Sequence, residues 1–493
     1  MIRLRDVSFA FPGAGQRDFL DRLSLEIRDG EWVAVAGGNG SGKTTLCRLM
    51  SGISRPRAGS VEADVTDPGC APGAAGSAPA IGIAFQNPDS QFVTPSVERE
   101  ILFGMENLGI GPGEMSNRLA DAARAFALER LLPRNPHTLS GGEKQRTLLA
   151  CLRAMGPRHL ILDEPFSFLD APGRRAFLDA LRGSFRREGR TIVWSTIDAG
   201  EIAFADRVIY MEKGKVRFDG APADLACSVP QDELDSSLVH RAPDTKSPAA
   251  KSRSGGPGAP AIVELSDARF SPGEDGFVLD VSSLSIRPGE RVGVSGPSGS
   301  GKTTFLLACA GLLPPRSGAV SLFGRRVAAK RDFPAGRVAF LFQSPEEGFF
   351  APTVREEVGL AYRSLVGGAG ETEAVSRALR AVGLLPEELL GRNTFHLSQG
   401  EKRLVALASV LVFDAELFCL DEPTIFLDGA ARGRLRSALD RLSARGATIV
   451  VASHDADFLG QCTDRTVALE NGRIVSMQPR ALAGPLLPPE DLI

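Results

Sequence analysis

A glycine-rich stretch that ends in one lysine and two threonines occurs twice in this chain, at 37–45 and again at 296–304. Each stretch follows a short apolar run and precedes a segment with helical periodicity, which is the spacing of a strand-to-helix turn. Glycines at such a turn let backbone amides point toward an anion, and the helix that follows adds its positive end. The pattern predicts phosphate binding by Gly37, Asn39, Gly40, Gly42, Lys43, Thr44 and Thr45, and by Gly296, Ser298, Gly299, Gly301, Lys302, Thr303 and Thr304.

The lysine and the threonine beside it have separate expected roles. Lys43 and Lys302 are expected to contact the β- and γ-phosphates of a nucleotide, and Thr44 and Thr303 to ligate Mg²⁺. The plain structural alternative is a glycine-rich turn with a solvated lysine. A second copy in the same context disfavours that alternative.

Two acidic pairs each close an apolar run that has the character of a buried strand. An aspartate at the carboxyl end of a strand beside a phosphate loop can hold Mg²⁺, and the glutamate after it can polarise an attacking water. We therefore predict Asp163 and Asp421 as metal-holding residues and Glu164 and Glu422 as catalytic residues. A solvated pair that opens a turn before proline is the alternative, and the matched positions in both copies disfavour it.

The repeat extends beyond these sites and sets the expected domain organisation. The phosphate loop, a Phe-Gln pair, a Leu-Ser-x-Gly-Glu-Lys run and a Leu-Asp-Glu-Pro run recur in one order at offsets of 257–259 positions. Two copies of one domain are therefore expected, at 1–221 and 262–480. Prolines, glycines and serines predict a flexible linker at 222–261, and the tail at 481–493 is expected to be irregular.

Each copy alternates strand-like and helix-like segments, which predicts an α/β fold with a largely parallel sheet. The apolar runs at 32–36, 160–162 and 191–194 are predicted as buried strands, and 43–50 as a helix. The stretches 96–140 and 353–398 are poorer in strands and are predicted to form a small helical subdomain in each copy. A segment rich in Pro, Gly and Ala, from Asp67 to Ala80, is expected to make a surface loop.

Composition and charge limit the classes of function. The chain is 43% hydrophobic and 24% charged, with a net charge of −3 and 6% aromatic residues. Neither a basic field nor an aromatic platform for nucleic acid is indicated, so no nucleic-acid partner is expected. The seven cysteines are scattered, which argues against a zinc site and a disulfide framework. No run of about 18 apolar residues occurs, so any membrane role is expected to come through partners.

The runs 139–144 and 397–402 resemble the signature motif of ATP-binding-cassette proteins. The resemblance implies two P-loop NTPase domains, each with a RecA-like core and a helical subdomain, that bind ATP and Mg²⁺. It also implies that the two domains pair within the chain, so that each signature binds the γ-phosphate of ATP held by the other domain. Taken alone, either motif is only a helix N-cap. The signature residues implied in this role are Ser140, Gly141, Gly142, Ser398 and Gly400.

Other family landmarks follow by match. Gln86 and Gln343 resemble the Q-loop glutamines, which are implied to sense Mg²⁺ and face a transmembrane partner. His454 resembles the switch histidine that contacts the γ-phosphate, whereas the first copy has Ile197 at that position. Asp170 and Asp428 resemble D-loop aspartates.

The resemblance also implies an aromatic residue that stacks on adenine. Phe11 resembles the aromatic residue that stacks on adenine, with a plain core role as the open alternative. The second copy has Phe270 shifted by one position, or has lost the stacking residue.

Head-to-tail pairing of this kind implies two unequal composite sites. Both departures from the family pattern, Ile197 and Gln399, fall in the same site. Isoleucine cannot form a hydrogen bond, so the γ-phosphate contact is expected to be missing there. The impaired site would combine Lys43, Asp163, Glu164 and Ile197 with Ser398 and Gln399. The intact site would combine Lys302, Asp421, Glu422 and His454 with Ser140, Gly141 and Gly142.

The stretch 85–92, together with 97–98 and 103–107, resembles the ATPase subunits of energy-coupling factor transporters. The resemblance implies a place at the cytoplasmic face of the cell membrane. The implied partners are a transmembrane scaffold subunit (EcfT-like) and a separate membrane protein that captures a vitamin or a metal ion. A fused ATPase of a sugar-type importer and a soluble tandem-cassette translation factor stay open as alternatives. A DNA-repair ATPase would need paired cysteines or a coiled-coil insertion, and the sequence shows neither.

Overall fold

A computed structural model describes residues 1–11, 18–63, 80–167, 169, 171–229, 260–271, 277–344, 348–425 and 427–479. The chain divides into two compact units, Met1–His240 and Arg241–Ile493. The division lies inside the predicted linker, of which 230–259 is outside the described residues. The tail at 481–493 and nearly all of the predicted loop between Asp67 and Ala80 are also outside them.

The strands of the first unit form two sheets. They are β1 (Ile2–Phe9), β2 (Leu20–Ile27), β3 (Trp32–Ala36), β4 (Ala58–Ala63), β5 (Ile81–Ala84), β6 (His159–Leu162), β7 (Thr191–Thr196), β8 (Arg207–Glu212) and β9 (Lys215–Gly220). One sheet has the order β5-β6-β7-β3-β8-β9 and is parallel apart from β9. The other is antiparallel, with the order β2-β1-β4. Every residue of β3, β6 and β7 is buried, as expected for parallel strands covered on both faces.

The helices of the first unit lie between these strands in the chain, apart from the last helix, which follows β9. They are α1 (Lys43–Met50), α2 (Val97–Asn107), α3 (Pro112–Ala125), α4 (Gly141–Met155), α5 (Ala171–Leu181), α6 (Ala199–Ile202) and α7 (Leu225–Ser228). α2 and α3 both pack against α4, and their apolar faces join one core with the parallel sheet. Ser96 starts α2 by accepting a hydrogen bond from the Arg99 amide, which is ordinary N-cap chemistry.

The second unit repeats this arrangement with one continuous sheet. Its strands are β10 (Val263–Phe270), β11 (Leu279–Ile286), β12 (Arg291–Ser295), β13 (Ser317–Leu322), β14 (Arg325–Arg326), β15 (Val338–Leu341), β16 (Leu417–Asp421), β17 (Thr448–Ala452), β18 (Arg465–Glu470) and β19 (Arg473–Pro479). The sheet has the order β14-β13-β10-β11-β19-β18-β12-β17-β16-β15, and its parallel core runs from β18 to β15.

The helices of the second unit occupy matching places. They are α8 (Lys302–Cys309), α9 (Val354–Leu365), α10 (Glu371–Ala381), α11 (Pro386–Leu389), α12 (Gln399–Leu411), α13 (Gly429–Ala444) and α14 (Ala456–Cys462). α9 and α10 pack on α12 as α2 and α3 pack on α4. In the part of the chain that the structure describes, no helix has the length and apolar character needed to cross a membrane.

The predicted α/β fold class is confirmed, and several elements begin and end where the sequence predicts. β3 and α1 match the predicted strand at 32–36 and helix at 43–50. The stretches 96–140 and 353–398 contain helices and no strand. α7 is an addition, because it lies within the segment predicted as linker. Its Leu225, and Val229 directly after the helix, are buried in the core of the first unit.

A glycine begins each phosphate loop because no other residue fits there. Gly37 and Gly296 have φ angles of 150° and 151°, which strongly favour glycine. A Cβ at Gly37 would lie 2.3 Å from the Met211 carbonyl oxygen, and one at Gly296 would lie 2.3 Å from that of Leu469. The loop therefore passes directly against the neighbouring strand of its sheet.

We expect Gly37→Ala to lower the stability of the first unit by about 2 kcal/mol, because the loop must move and its backbone is strained. In a unit of this size, that cost corresponds to a fall of about 4–8 °C in the thermal unfolding midpoint. Gly113→Ala in α3 is the matched control, because a Cβ there meets no atom within 4 Å. Equal midpoints for the two variants would contradict this account of the loop.

Candidate functional site

The first phosphate loop folds around its own lysine. Lys43 is buried at the start of α1, and its Nζ donates hydrogen bonds to the carbonyl oxygens of Gly37 at 2.8 Å and Gly38 at 3.1 Å. Gly42 precedes the helix with a φ of 111°, so the chain turns sharply into α1. The loop and the N-terminus of α1 thus surround the ammonium group of Lys43. This arrangement suits the binding of an anion with several charges.

Asp163 follows β6 and lies beside this loop. Its Oδ1 accepts hydrogen bonds from the hydroxyl groups of Thr44 at 3.1 Å and Ser195 at 2.6 Å. Burial raises the pKa of Asp163, and the two hydroxyl donors oppose that shift. The hydroxyl of Ser195 also accepts from the Glu164 amide at 2.8 Å. Sequence reasoning missed Ser195, although a hydroxyl residue directly after the strand predicted at 191–194 was a usable signal.

Glu164 is buried next to Asp163, with a left-handed backbone at a φ of 45°. Its Oε1 lies 3.7 Å from Lys43 Nζ. Its Oε2 accepts hydrogen bonds from the side-chain amide of Gln86 at 2.8 Å and from the Ser167 hydroxyl at 3.2 Å. Burial raises the pKa of Glu164, while Lys43 opposes the rise. The structure thus joins the predicted phosphate, metal, Q-loop and catalytic residues of the first copy in one cluster.

The second unit builds the same loop with a histidine added. Lys302 Nζ donates to the carbonyl oxygens of Gly296 at 2.9 Å and Pro297 at 3.2 Å, and lies 3.1 Å from His454 Nε2. The Thr303 hydroxyl donates to Asp421 Oδ2 at 2.6 Å. Burial raises the pKa of Asp421, as it does for the equivalent aspartate of the first unit.

Glu422 is the residue around which this second cluster is arranged. Its Oε2 accepts from the backbone amide of His454 at 3.1 Å, and its Oε1 lies 3.3 Å from His454 Nε2 and 3.9 Å from Lys302 Nζ. Burial raises the pKa of Glu422 to about 7, with Lys302 opposing the rise. A carboxyl group with a pKa near neutrality is well matched to proton transfer.

Ile197 occupies the place in the first unit that His454 occupies in the second. The next residue in each unit, Asp198 or Asp455, caps the following short helix. Each of these aspartates also pairs with an arginine, at 3.0 Å in the first unit and 3.1 Å in the second. The isoleucine side chain offers no hydrogen bond at this position.

The two predicted Q-loop residues differ in surroundings. Gln86 is partly buried and contacts Glu164, whereas Gln343 is exposed. The backbone carbonyl of Gln343 instead accepts a hydrogen bond from Arg403 at 2.6 Å. The structure therefore does not bring the Gln343 side chain to the acidic cluster as it does for Gln86.

Both signature motifs start a helix with the same capping box. The Ser140 hydroxyl donates to Glu143 Oε2 at 3.0 Å and accepts from the Glu143 amide at 3.4 Å. Ser398 and Glu401 make the equivalent pair at 2.9 and 3.3 Å. Each cap leaves a glycine-containing helix N-terminus, at 141–142 or 399–400, of the kind that attracts anions.

The predicted stacking aromatics differ in environment between the two units, and only one of the two D-loop aspartates lies within the described residues. Phe11 is 46% exposed, and its ring centroid lies 5.2 Å from those of Phe9 and Phe19, so it is not a plain core residue. Phe270 is fully buried, and Phe11 has no equivalent among the described residues of the second unit. Asp428 caps α13 by accepting from the Ala431 amide, whereas Asp170 lies outside the described residues.

The side chains in both clusters fit a nucleotide phosphate and a divalent cation. Each has a buried carboxylate whose charge is costly, next to a threonine hydroxyl, and hard oxygen ligands of this kind suit Mg²⁺. Each loop also contains a buried serine hydroxyl, of Ser41 or Ser300, that makes no hydrogen bond with the described part of the chain. Thr44 with Asp163, and Thr303 with Asp421, would hold the cation, and the lysines would hold the phosphates.

Comparisons with known proteins agree with this arrangement. The sequence profile described as ABC transporter matches residues 20–167 and 279–425, which is more than half of the chain. A Bifidobacterium longum protein named as an ABC transporter ATP-binding protein is 34% identical over 94% of this chain, and the chain spans 64% of that protein's length. A Bacillus subtilis protein named for HMP/thiamine import is 28% identical over 96% of this chain and 90% of its own length.

A solved structure of an archaeal ribosome recycling factor bound to a ribosomal stalk protein has the same fold. It is 22% identical to this chain, with a TM-score of 0.61 over 96% of this chain and 90% of its own. The repeated phosphate loops, acidic pairs and signature helices agree with the two ranges of the profile. The chain therefore belongs to the ABC transporter family and contains two of its ATP-binding cassettes in tandem.

Proposed function

We propose that this protein hydrolyses ATP to energise a membrane importer of the energy-coupling factor type, with a vitamin or a metal ion as cargo. ATP hydrolysis rests on one observation above all: Lys302, Glu422 and His454 converge within hydrogen-bonding or ion-pairing distance beside a phosphate loop. Import is supported by likeness to the Bacillus subtilis HMP/thiamine protein over nearly the full length of both chains. The partners would be a transmembrane scaffold subunit and a membrane protein that captures the cargo, at the cytoplasmic face of the membrane.

The side chains of the second cluster have separable roles in hydrolysis. Bound Mg²⁺ would neutralise phosphate charge and orient the phosphates for in-line attack. Lys302 holds the phosphates, and Thr303 and Asp421 hold the cation. Glu422 accepts the proton of the attacking water, for which its pKa of about 7 is suited. His454 positions Glu422 through its backbone amide and offers its ring to the γ-phosphate.

The two units are proposed to pair, so that the signature of one completes the phosphate site of the other. The capping boxes at Ser140 and Ser398 support this, because each presents a helix N-terminus suited to a phosphate. In this arrangement the site with His454 receives the signature that retains both glycines. The site with Ile197 receives Gln399 in place of a glycine and would turn over slowly.

A soluble factor that acts on ribosomes is the second candidate function. The likeness to the archaeal ribosome recycling factor favours it, since that protein also has the fold over nearly its whole length. At 22% identity, this likeness concerns the fold.

Purification of the full chain from gently solubilised membranes of cells that express it tests the import proposal. We expect small, strongly apolar membrane proteins to co-purify in defined ratio and to stimulate ATP turnover. A chain with Lys43→Ala and Lys302→Ala controls for nucleotide dependence. Recovery with ribosomes, and without membrane proteins, would replace the import proposal with the second candidate.

Substitution of each catalytic glutamate tests the inequality of the two sites. We expect Glu422→Gln to lower ATP turnover by about a hundredfold or more, because the general base is lost. Glu164→Gln should lower turnover by less than about threefold, because the site with Ile197 contributes little. Steady-state phosphate release on the full chain measures both. Equal losses in the two variants would contradict the asymmetry.

A further inference from the structure

Arg403 is a charged residue whose side chain is buried inside the second unit. It is on α12, five residues after the signature serine, and is only 1% exposed. A buried guanidinium group is costly unless its donors are satisfied. Its hydrogen bonds therefore show which part of the structure the charge stabilises.

The guanidinium group joins two segments through their backbone carbonyls. Nη1 donates to the carbonyl oxygens of Phe342 at 3.3 Å and Gln343 at 2.6 Å, in the segment that follows β15. Nη2 donates to the carbonyl oxygens of Asp421 at 3.0 Å and of Glu422. One side chain thus ties the Q-loop segment to the acidic pair.

The two carbonyls on the acidic pair flank the Cα atom of Glu422. Glu422 has a φ of 47°, a left-handed conformation that is strained for a non-glycine residue. A donor that holds the peptide groups on both sides of this Cα fixes φ and ψ together. Those angles set the direction in which the carboxylate of Glu422 points toward Lys302 and His454.

The first unit holds its glutamate in the same conformation by other means. Glu164 has a φ of 45°, but the residue equivalent to Arg403 is Gln145. Gln145 is also 1% exposed, and its Nε2 makes no hydrogen bond within the described residues. The side chains of Ser195 and Gln86 contact Glu164 instead. The arginine link is therefore a property of the second copy.

We propose that Arg403 is a positioning residue that fixes the catalytic conformation of Glu422 and couples it mechanically to the Q-loop backbone at 342–343. The proposal rests on the proposed role of Glu422 as the main hydrolytic base. In the first unit, the side chain of Gln86 connects the Q-loop to the catalytic glutamate. In the second unit, the proposed connection is made by Arg403 through the backbone carbonyl of Gln343. Movement of the Q-loop segment would pull on the peptide groups that flank Glu422.

The test is a double-mutant cycle on the full chain, with Arg403→Gln, Glu422→Gln and the double variant. Arg403→Gln gives the second copy the residue that the first copy carries. We expect a loss of about tenfold or more in kcat, because a small misplacement of a catalytic group is costly, with KM for ATP changed by less than about twofold. Added to Glu422→Gln, the same change should cause no further loss, because Arg403 acts through that carboxylate.

Two variants separate positioning from general destabilisation. Arg403→Lys keeps the charge and some donors, so it should recover part of the lost kcat. Gln145→Ala is the matched control in the first unit and should leave kcat within about twofold, since Gln145 makes no bond to its acidic pair. Thermal unfolding with and without ATP reports the stability of each variant. If Arg403→Gln unfolds at the assay temperature, Arg403→Lys tests the positioning role instead. A lowered kcat with an unchanged KM for ATP would support that role, and a wild-type kcat would contradict it.

The outcomes separate this proposal from the unequal-site proposal. Equal losses of turnover for Glu422→Gln and Glu164→Gln would contradict unequal sites. The double-mutant cycle would still measure whether Arg403 acts through Glu422. Wild-type kcat in both Arg403 variants would overturn the positioning role. So would full additivity of Arg403→Gln with Glu422→Gln, or a matching loss in Gln145→Ala.

Discussion

Each unit buries a lysine and two neighbouring carboxyl groups at the carboxyl end of a parallel sheet, and the rest of the site is built around that concentration of charge. Lys43 lies 3.7 Å from Glu164, and Lys302 lies 3.9 Å from Glu422, with the four side chains almost inaccessible to solvent. Burial raises the pKa values of the carboxyl groups, so their charged forms are poorly compensated by the protein alone. A divalent cation would supply positive charge to the carboxylates, and a polyphosphate would pair with that cation and with the lysine, so the two are expected to bind together.

The two units reach the same geometry at the glutamate through different contacts. Glu164 and Glu422 share a left-handed backbone, which the first unit supports with Ser195 and Gln86 and the second with His454 and Arg403. Strain of this kind persists only where surrounding groups determine it. Duplicated domains can therefore keep one backbone conformation while their chemistry diverges. In the second unit the ring of His454 contacts Lys302 and Glu422, whereas Ile197 offers the first unit no polar side chain at that position.

The sequence was sufficient to predict the residues that local patterns determine. The strand at 32–36 and the helix at 43–50 follow from an apolar run, a glycine turn and helical spacing, so their bounds could be predicted. The contacts of Ser195 and Arg403 could not, because they depend on strands and helices that meet only in the folded unit. The different environments of Gln86 and Gln343 could not be predicted for the same reason, since each is the second residue of the same Phe-Gln pair. α7 was not predicted because the nearby prolines indicated a linker, although Leu225 and Val229 pack on the core.

The central claim is that ATP held by one unit is completed by the signature of the other, and the two capping serines allow a matched measurement. Ser140→Ala and Ser398→Ala remove equivalent caps, so each should cost about 1 kcal/mol of stability in its own unit. The unfolding midpoints of the two full-length variants measure the loss of the helix cap. Their steady-state ATP turnover measures the loss of the proposed phosphate contact. The account predicts similar losses of stability but a much larger loss of turnover for Ser140→Ala, because Ser140 is proposed to complete the site that contains Glu422 and His454. Equal turnover in the two variants, or a larger loss for Ser398→Ala, would contradict it.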